Sequence, residues 1–275
     1  MKPVAFDYER ARDLDHVIAL LRQGNGDAKI LAGGQSLGPM LNLRLARPAV
    51  LIDVTRIDAL RRVEENDERI LFGAILTHAE FEDGGLPDPV GGMMRHVAGG
   101  IAYRAVRNRG TLGGSLSHAD PAADWLTALM AADATLQVRT AAGERTIPLA
   151  QFMLGAFTTV LAEDEIVAAV DVPRLSPAGA WGYHKLCRKA GDFAEAIAAV
   201  VVDPERRFSR AVIGAVDGSP LLLEEVAEAL ASGGAAAGLA CVDGAIAEAL
   251  PEAAPVPRQL HAVALRRAIE QVYGG

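Results

Sequence analysis

Two glycine pairs, each followed by small polar residues, constrain this chain more than any other feature of its sequence. The first lies in K-I-L-A-G-G-Q-S-L (29–37) and the second in T-L-G-G-S-L-S-H-A-D-P-A-A-D-W (111–125). Glycine lets another group approach the backbone closely, and the turn around it presents N–H groups and hydroxyls to an anion. One such segment alone is more typical of an ordinary tight turn into a helix. Two of them favour one elongated diphosphate ligand bound from both sides, with Gly33 and Gly113 placed where a Cβ would push that ligand away.

The second glycine segment leads directly into a predicted helix at 121–132. Asp120 can act as its N-cap, and Pro121 can take the first helical position, where the N–H that proline lacks would have no helical partner. From Trp125 to Met130 the apolar residues recur at helical spacing. We therefore expect a helix that starts immediately after the glycine segment and packs one face into a core.

Hydrophobic patterns along the first part of the chain predict a mixture of helices and strands. A capped amphipathic helix is predicted at 13–21, and the pair Thr77 and Glu80 forms a capping box that begins another. A further helix is predicted to begin at Met93. Short strands are predicted in a run that ends at Leu31 and at 51–54, 69–74, 134–139, 145–147 and 166–172.

The segment 174–180 is the predicted domain boundary, because Pro173, Ser176 and Pro177 lie within a few residues of one another. Three predicted strands follow it (181–188, 194–202 and 208–216), and then three alanine-rich helices (221–231, 242–250 and 258–272). Periodicity does not decide whether 194–202 is a strand or a buried helix. Strands followed by helices are typical of an α+β domain.

Charge and metal-ligand residues narrow the possible functions. A formal net charge of -8 argues against nucleic-acid binding as the main activity. The local basic run of Arg104, Arg107 and Arg109 is interpreted as lying beside an anionic ligand or at an interface. Cys187 and Cys241 are too few for an iron–sulfur cluster or a structural zinc site, and the six histidines show no metal-ligand spacing. Any redox chemistry therefore requires an organic cofactor, and no metal site is predicted.

The apolar segments predict a cytoplasmic protein without a membrane span. No apolar run approaches the length that a bilayer requires. The N-terminal sequence M-K-P-V-A-F-D-Y-E-R carries two acids before any apolar stretch, which excludes a signal peptide.

Four motifs together resemble one family of flavoproteins. There is no G-x-G-x-x-G after a strand and no G-x-x-x-x-G-K-[ST], so a Rossmann site and a P-loop are not expected. The chain instead resembles the FAD-binding medium subunit of molybdenum hydroxylases, a family that includes carbon monoxide dehydrogenase and xanthine dehydrogenase flavoproteins. The resemblance covers essentially the whole length and rests on these motifs: F-D-Y (6–8), A-G-G-Q-S-L (32–37), T-L-G-G-S-L-S-H-A-D-P-A-A-D (111–124) and K-L-C-R-K-A-G-D-F-A (185–194).

The resemblance implies an α+β fold in two parts. Residues 1–175 would form an FAD-binding domain of the vanillyl-alcohol-oxidase (PCMH) type, with subdomains at about 1–55 and 56–175. Residues 176–275 would form a C-terminal flavoprotein domain, a three-stranded antiparallel sheet with helices.

The resemblance also implies non-covalent FAD and a set of residues that contact it. The diphosphate would lie against Lys29, Ile30, Leu31, Ala32, Gly33, Gly34, Gln35, Ser36 and Leu37, and against Thr111, Leu112, Gly113, Gly114 and Ser115. Ile101, Ala102 and Lys185 would lie near the flavin, Asp124 would bind ribityl or diphosphate-side hydroxyls, and Ile166 and Val167 would flank the adenine. Ser117 and His118 are further expected contacts. Phe193 stands where some relatives carry a tyrosine near the ring. His78, beside the capping box, is expected to have a local structural role rather than a covalent link to flavin.

By the same resemblance, the chain is an oxidoreductase subunit that is incomplete alone. A large subunit with the molybdenum cofactor and a small subunit with [2Fe–2S] clusters would supply electrons, which the FAD would pass to an external acceptor. No catalytic side chain is assigned. A standalone FAD oxidoreductase with its own substrate and a flavin-free scaffold subunit are the alternatives.

Overall fold

The structure, a computed structural model that describes residues 2–274, begins with a small parallel sheet. Its strands are β1 (Asp7–Arg10), β2 (Ala28–Leu31) and β3 (Val50–Asp53), and β3 lies between the other two in the order β1-β3-β2. Helix α1 (Leu14–Gly24) connects β1 to β2, and helix α2 (Leu37–Asn42) follows the first glycine pair. The side chain of Asp13 caps α1 by accepting from the His16 amide at 2.7 Å, as predicted. Each parallel strand thus reaches the next through a helical crossover.

The second sheet is antiparallel and has the order β4-β5-β10-β6-β7. Its strands agree with the predicted ones to within two residues at their ends, apart from β4, which was not predicted. The strands of this part of the chain, which include the separate two-stranded sheet β8-β9, are β4 (Val63–Glu65), β5 (Arg69–Gly73), β6 (Thr135–Thr140), β7 (Gly143–Pro148), β8 (Met153–Gly155), β9 (Thr158–Thr159) and β10 (Ile166–Pro173).

Five short helices lie between β5 and β6; two of them were not predicted, and a third begins later than predicted. They are α3 (His78–Glu82), α4 (Met93–Gly99), α5 (Arg104–Arg107), α6 (Leu112–His118) and α7 (Asp124–Ala131). The capping box of Thr77 and Glu80 is present at α3, as predicted. The glycine pair of the second segment, however, forms the first turn of a helix, α6, that was not predicted. Glycine has a low helix propensity, so contacts with the rest of the protein must stabilise α6.

The predicted helix start at Pro121 is wrong, because α7 begins at Asp124. The carboxylate of Asp120 accepts from the Ala122 amide at 2.9 Å and closes a turn instead of capping the helix. The carbonyl of Pro121 accepts from the Ala215 amide at 3.0 Å, which fixes the segment to the C-terminal part of the chain. Ala123 then has an extended backbone (φ -74°, ψ 132°) and is the N-cap.

The C-terminal sheet is antiparallel with the order β11-β12-β13-β14, so it has one short strand more than predicted. Its strands are β11 (Ala180–Leu186), β12 (Ala196–Asp203), β13 (Phe208–Gly214) and β14 (Leu221–Leu222). All eight residues of β12 are buried, because α7 packs on one face of the sheet while the C-terminal helices pack on the other. This explains why β12 lacks the alternating pattern that would have distinguished it from a helix.

Two long helices close the fold where three were predicted. Helix α8 (Glu224–Ala249) spans both of the predicted helices 221–231 and 242–250, with a backbone break at Gly234 (φ 65°, ψ -156°), and α9 (Pro255–Tyr273) matches the third. Contrary to the expectation from the sequence, α8 has the length and mean hydropathy of a membrane span. Its alanine and glycine content accounts for this, and Val226, Leu230, Val242 and Ile246 pack into the core of the C-terminal sheet.

Each of the three larger sheets lies within one of the predicted units, which are the subdomains 1–55 and 56–175 and the C-terminal domain 176–275. The division of the chain into these units stays a prediction. The hydrophobic core does not stop at residue 175. A single cluster of buried side chains extends from Ala11 through Trp125 to Val212, so β12 and β13 share a core with the preceding domain. This shared core brings β11 next to the start of α7.

Candidate flavin-binding cleft

One large cleft collects nearly all of the residues that the sequence predicts as ligand contacts. Its volume is about 1080 Å³, at the upper end of the range of roughly 300–1,000 Å³ that is usual for ligand pockets. Leu31 and Leu112 do not line it: Leu112 is fully buried in the core, and Leu31 packs beside Gly34. The predicted residues that line the cleft are Lys29, Ile30, Ala32, Gly33, Gly34, Gln35, Ser36, Leu37, Ile101, Ala102, Thr111, Gly113, Gly114, Ser115, Ser117, His118, Asp124, Ile166, Val167 and Lys185.

The first glycine segment presents backbone donors to this cleft. Within the described residues, the amide N–H groups of residues 33–36 donate to no protein acceptor. Gly34 has a φ of 71°, which only glycine adopts readily, and the Gln35 side chain donates back to the Gly33 carbonyl at 3.2 Å. Consecutive amides directed outward from a turn form an anion-binding site. The predicted role of this segment is therefore chemically possible.

The second glycine segment differs from the prediction, because its amides are already hydrogen-bonded inside the protein. The amides of Leu112 and Gly113 donate to the carbonyls of Leu76 and Ala74 at 2.9 and 2.8 Å. Those of Gly114 and Ser115 donate to the side chain and the carbonyl of Thr111 at 3.2 and 2.9 Å. This side of the cleft can offer a ligand side-chain hydroxyls instead. Those of Ser115 and Ser117 line the cleft and make no hydrogen bond to any described residue.

Gly33 and Gly113, the first glycine of each pair, are required by close packing of protein on protein, which corrects the expected reason for them. A Cβ on Gly33 would lie 2.2 Å from the carbonyl oxygen of Arg109 and 2.8 Å from the Cα of Gly110. A Cβ on Gly113 would lie 2.5 Å from the Cβ of Ala74. The missing side chains thus point at neighbouring backbone, not at the cleft. Gly33 lets the first segment touch the residues that lead into the second.

A buried polar cluster lies where β11 meets the start of α7. The Tyr183 hydroxyl donates to Asp124 Oδ1 at 2.7 Å, and Lys185 Nζ donates to Asp124 Oδ2 at 3.1 Å and to the Gly100 carbonyl at 3.3 Å. Tyr183 and Lys185 lie on one face of β11 because they are two residues apart. Burial raises the pKa of Asp124, while the Lys185 ammonium and the Tyr183 hydroxyl act in the opposite direction. Asp124 therefore holds Lys185 at the cleft wall beside Ile101, in addition to any contact it makes with a ligand.

The basic run of the sequence is largely neutralised by acidic side chains. Arg104 forms ion pairs with Glu82 and Asp83 at 2.8 and 2.6 Å. Arg107 pairs with Glu82 at 2.7 Å and donates to the carbonyls of Ile101 and Ala102 at 2.9 and 3.0 Å. Both guanidinium groups are therefore paired with acidic side chains of the described residues, and the placement of the run beside an anionic ligand or at an interface stays a prediction. Arg107 also supports the backbone at Ala102, where φ is 42°.

Several cleft residues were missed by the sequence analysis. Leu161 and Ala28 line the wall together with Ile166 and Val167, and so do the exposed rings of Tyr103 and Phe157. Phe193, which the family resemblance placed near the ring, lines the cleft too. His118 lies against Phe157, with ring centroids 5.2 Å apart. These apolar residues carry no local sequence signal, since the tertiary fold alone brings them together. His78 also lines the cleft.

The cleft combines amides of residues 33–36 that have no acceptor among the described residues with the apolar side chains of Ile166 and Val167, and its volume suits an extended ligand. The comparisons with known proteins agree with this. The family described as "FAD binding domain in molybdopterin dehydrogenase" matches residues 4–175. The 6-hydroxypseudooxynicotine dehydrogenase complex subunit alpha of Paenarthrobacter nicotinovorans is 38% identical over 220 residues, which cover 79% of this chain and 74% of that protein.

Carbon monoxide dehydrogenase is similar in both sequence and structure. The medium chain from Hydrogenophaga pseudoflava is 37% identical over 202 residues, 74% of this chain and 70% of that one. A solved structure of carbon monoxide dehydrogenase from the same organism, lacking the Mo-pyranopterin moiety, superimposes with a TM-score of 0.91 at 31% identity and covers 100% of this chain and 99% of that chain. The chain belongs to this family and is an FAD-binding oxidoreductase subunit of the molybdenum hydroxylase type.

Proposed function

We propose that the cleft binds FAD non-covalently, with its diphosphate between the amides of residues 33–36 and the hydroxyls of Ser115 and Ser117. The observation that carries this proposal is that residues 33–36 line the cleft and that none of their amides has an acceptor among the described residues. They supply hydrogen-bond donors without a formal positive charge, and hydrogen bonds to an anion are stronger than those between neutral groups.

The two ends of the cleft suit the two ends of this cofactor. At one end, Ile101, Ala102 and Lys185 place an ammonium group beside apolar surface, as the isoalloxazine and its polar edge require. At the other, the buried side chains of Ile166 and Val167 form an apolar wall for the adenine. FAD would supply the redox chemistry, while the chain binds it, orients it and sets the charge around it.

We further propose that the electrons come from a partner subunit in a cytoplasmic complex. The two cysteines of the chain cannot hold an iron–sulfur cluster by themselves. The relatives named above are a subunit of a dehydrogenase complex and a medium chain. The partners would be a large subunit with the molybdenum cofactor and a small subunit with [2Fe–2S] clusters, and the final acceptor would take electrons from the flavin.

The test compares the purified chain with the complex that copurifies with it. Carbon monoxide, aldehydes and N-heterocycles are added anaerobically, and the loss of flavin absorbance is followed. We expect no reduction by any of them in the chain alone, and reduction by one class in the complex. Rapid reduction of the flavin in the lone chain would show a standalone oxidoreductase instead.

A further inference from the structure

His78 is a buried imidazole in the wall of the cleft, and helix capping does not account for its side chain. It is the first residue of α3, but the capping box is made by Thr77 and Glu80. Only 4% of His78 is exposed. Its Nδ1 accepts a hydrogen bond from Nε1 of the fully buried Trp125 at 3.0 Å. The ring is therefore fixed in orientation by Trp125, which lies in the core and does not line the cleft.

This hydrogen bond determines where the imidazole carries its proton. The indole N–H can only donate, so Nδ1 must be the acceptor and the proton of the neutral ring lies on Nε2. Burial and the nearby Arg107 guanidinium lower the pKa of His78 to about 4, so the ring is neutral at physiological pH. Nε2 is thus a fixed N–H donor. Among residues 2–274, nothing accepts a hydrogen bond from it.

The backbone around His78 places this donor where the two glycine segments meet. The His78 amide donates to the Gly110 carbonyl at 2.9 Å, and Thr77 forms a β-bridge with Thr111. A Cβ on Gly110 would lie 2.9 Å from His78 Nε2, and one on Gly33 would lie 2.8 Å from the Cα of Gly110. One residue, Gly110, is thus close both to the imidazole edge and to Gly33, the first residue of the segment 33–36.

We propose that His78 is a positioning residue for the cofactor, whose Nε2–H donates to a diphosphate oxygen. This inference rests on the proposed function, since it assumes that a flavin nucleotide occupies the cleft. A neutral donor adds direction without adding charge, and it complements the backbone amides on one side of the ligand. It also explains why a histidine is buried here in a form that cannot titrate near neutral pH.

Two substitutions separate the nitrogen atoms of the ring. His78→Asn places an amide oxygen near the position of Nδ1 and removes the outer donor. His78→Gln places an amide N–H near the position of Nε2 and removes the partner of Trp125. In the full chain freed of flavin, the affinity for FAD is measured by quenching of flavin fluorescence, the affinity for ADP by calorimetry, and folding by thermal unfolding at pH 7.

We expect His78→Asn to unfold near the wild-type temperature and to bind both FAD and ADP at least tenfold more weakly, since a hydrogen bond to a charged group is lost. His78→Gln should bind FAD within threefold of wild type and unfold several degrees lower, because the buried indole N–H loses its acceptor. Wild-type affinity for FAD or ADP in His78→Asn would overturn the proposal, and so would equal weakening in both variants. If the wild-type chain bound no FAD, the proposed function itself would fail. That outcome differs from a failure of the His78 proposal, in which wild type binds FAD and His78→Asn binds it equally well.

Discussion

The contact between the two glycine segments makes Gly33→Ala the most informative perturbation of the cleft. The new Cβ would lie 2.2 Å from the Arg109 carbonyl oxygen. Carbon and oxygen atoms approach to about 3.3 Å at closest in packed structures, so the segments must separate by about 1 Å. Overpacking of this kind costs about 1–3 kcal/mol. Where this cost opposes the geometry that binds FAD, the dissociation constant for FAD rises by about 5- to 150-fold.

Gly38→Ala is the matched control for this experiment. Gly38 lies in α2, does not line the cleft, and a Cβ there would meet no atom of the described residues within 4 Å. Replacing a helical glycine by alanine should leave FAD affinity unchanged and stabilise the chain by up to about 1 kcal/mol. Both variants are titrated with FAD by fluorescence quenching, with urea unfolding in parallel. Wild-type affinity in Gly33→Ala would refute the idea that contact between the segments shapes the site.

Two other predictions concern buried groups. Tyr183→Phe removes a donor to the buried carboxylate of Asp124 and should lower the free energy of unfolding in urea by about 1.5–3 kcal/mol. The control Tyr273→Phe removes a half-exposed hydroxyl and should change it by less than about 0.5 kcal/mol. Equal effects of the two substitutions would contradict this reasoning. The pKa of His78, lowered from 6.5 to about 4, predicts a loss of stability in acid. The unfolded chain binds the proton at a higher pH than the folded chain does, so the free energy of unfolding falls as the pH drops from about 6.5 to about 4. The loss amounts to about 3 kcal/mol in all. Unfolding at pH 7 and pH 4.5 should show a loss larger by about 2–3 kcal/mol in wild type than in His78→Asn, and identical losses would show that this group is not responsible.

Local sequence signals predicted those features whose cause is local. The Asp13 cap, the capping box of Thr77 and Glu80, and the strand that leads into the first glycine segment all depend on residues within a few positions of one another. Nearly all of the residues that the family resemblance predicts as cofactor contacts line the one cleft, because its motifs are short and specific, while their contact with FAD stays a prediction.

The failures have long-range causes. Helix α6 forms in spite of its glycines because its first amides are bonded to Ala74 and Leu76. Pro121 does not start a helix because its carbonyl accepts a hydrogen bond from the amide of Ala215, which lies far along the chain. No pattern in the sequence indicates such contacts. The same holds for the pairing of Asp124 with Lys185, which the fold of the C-terminal sheet creates.

The identity and stoichiometry of the bound flavin test the central claim most directly. The purified chain, or its complex, is denatured with acid, and the supernatant and the pellet are analysed by chromatography against FAD and FMN standards. Binding through the amides of residues 33–36 predicts one FAD per chain, all of it in the supernatant. FMN in place of FAD, flavin retained in the pellet, or no flavin in either fraction would contradict the account.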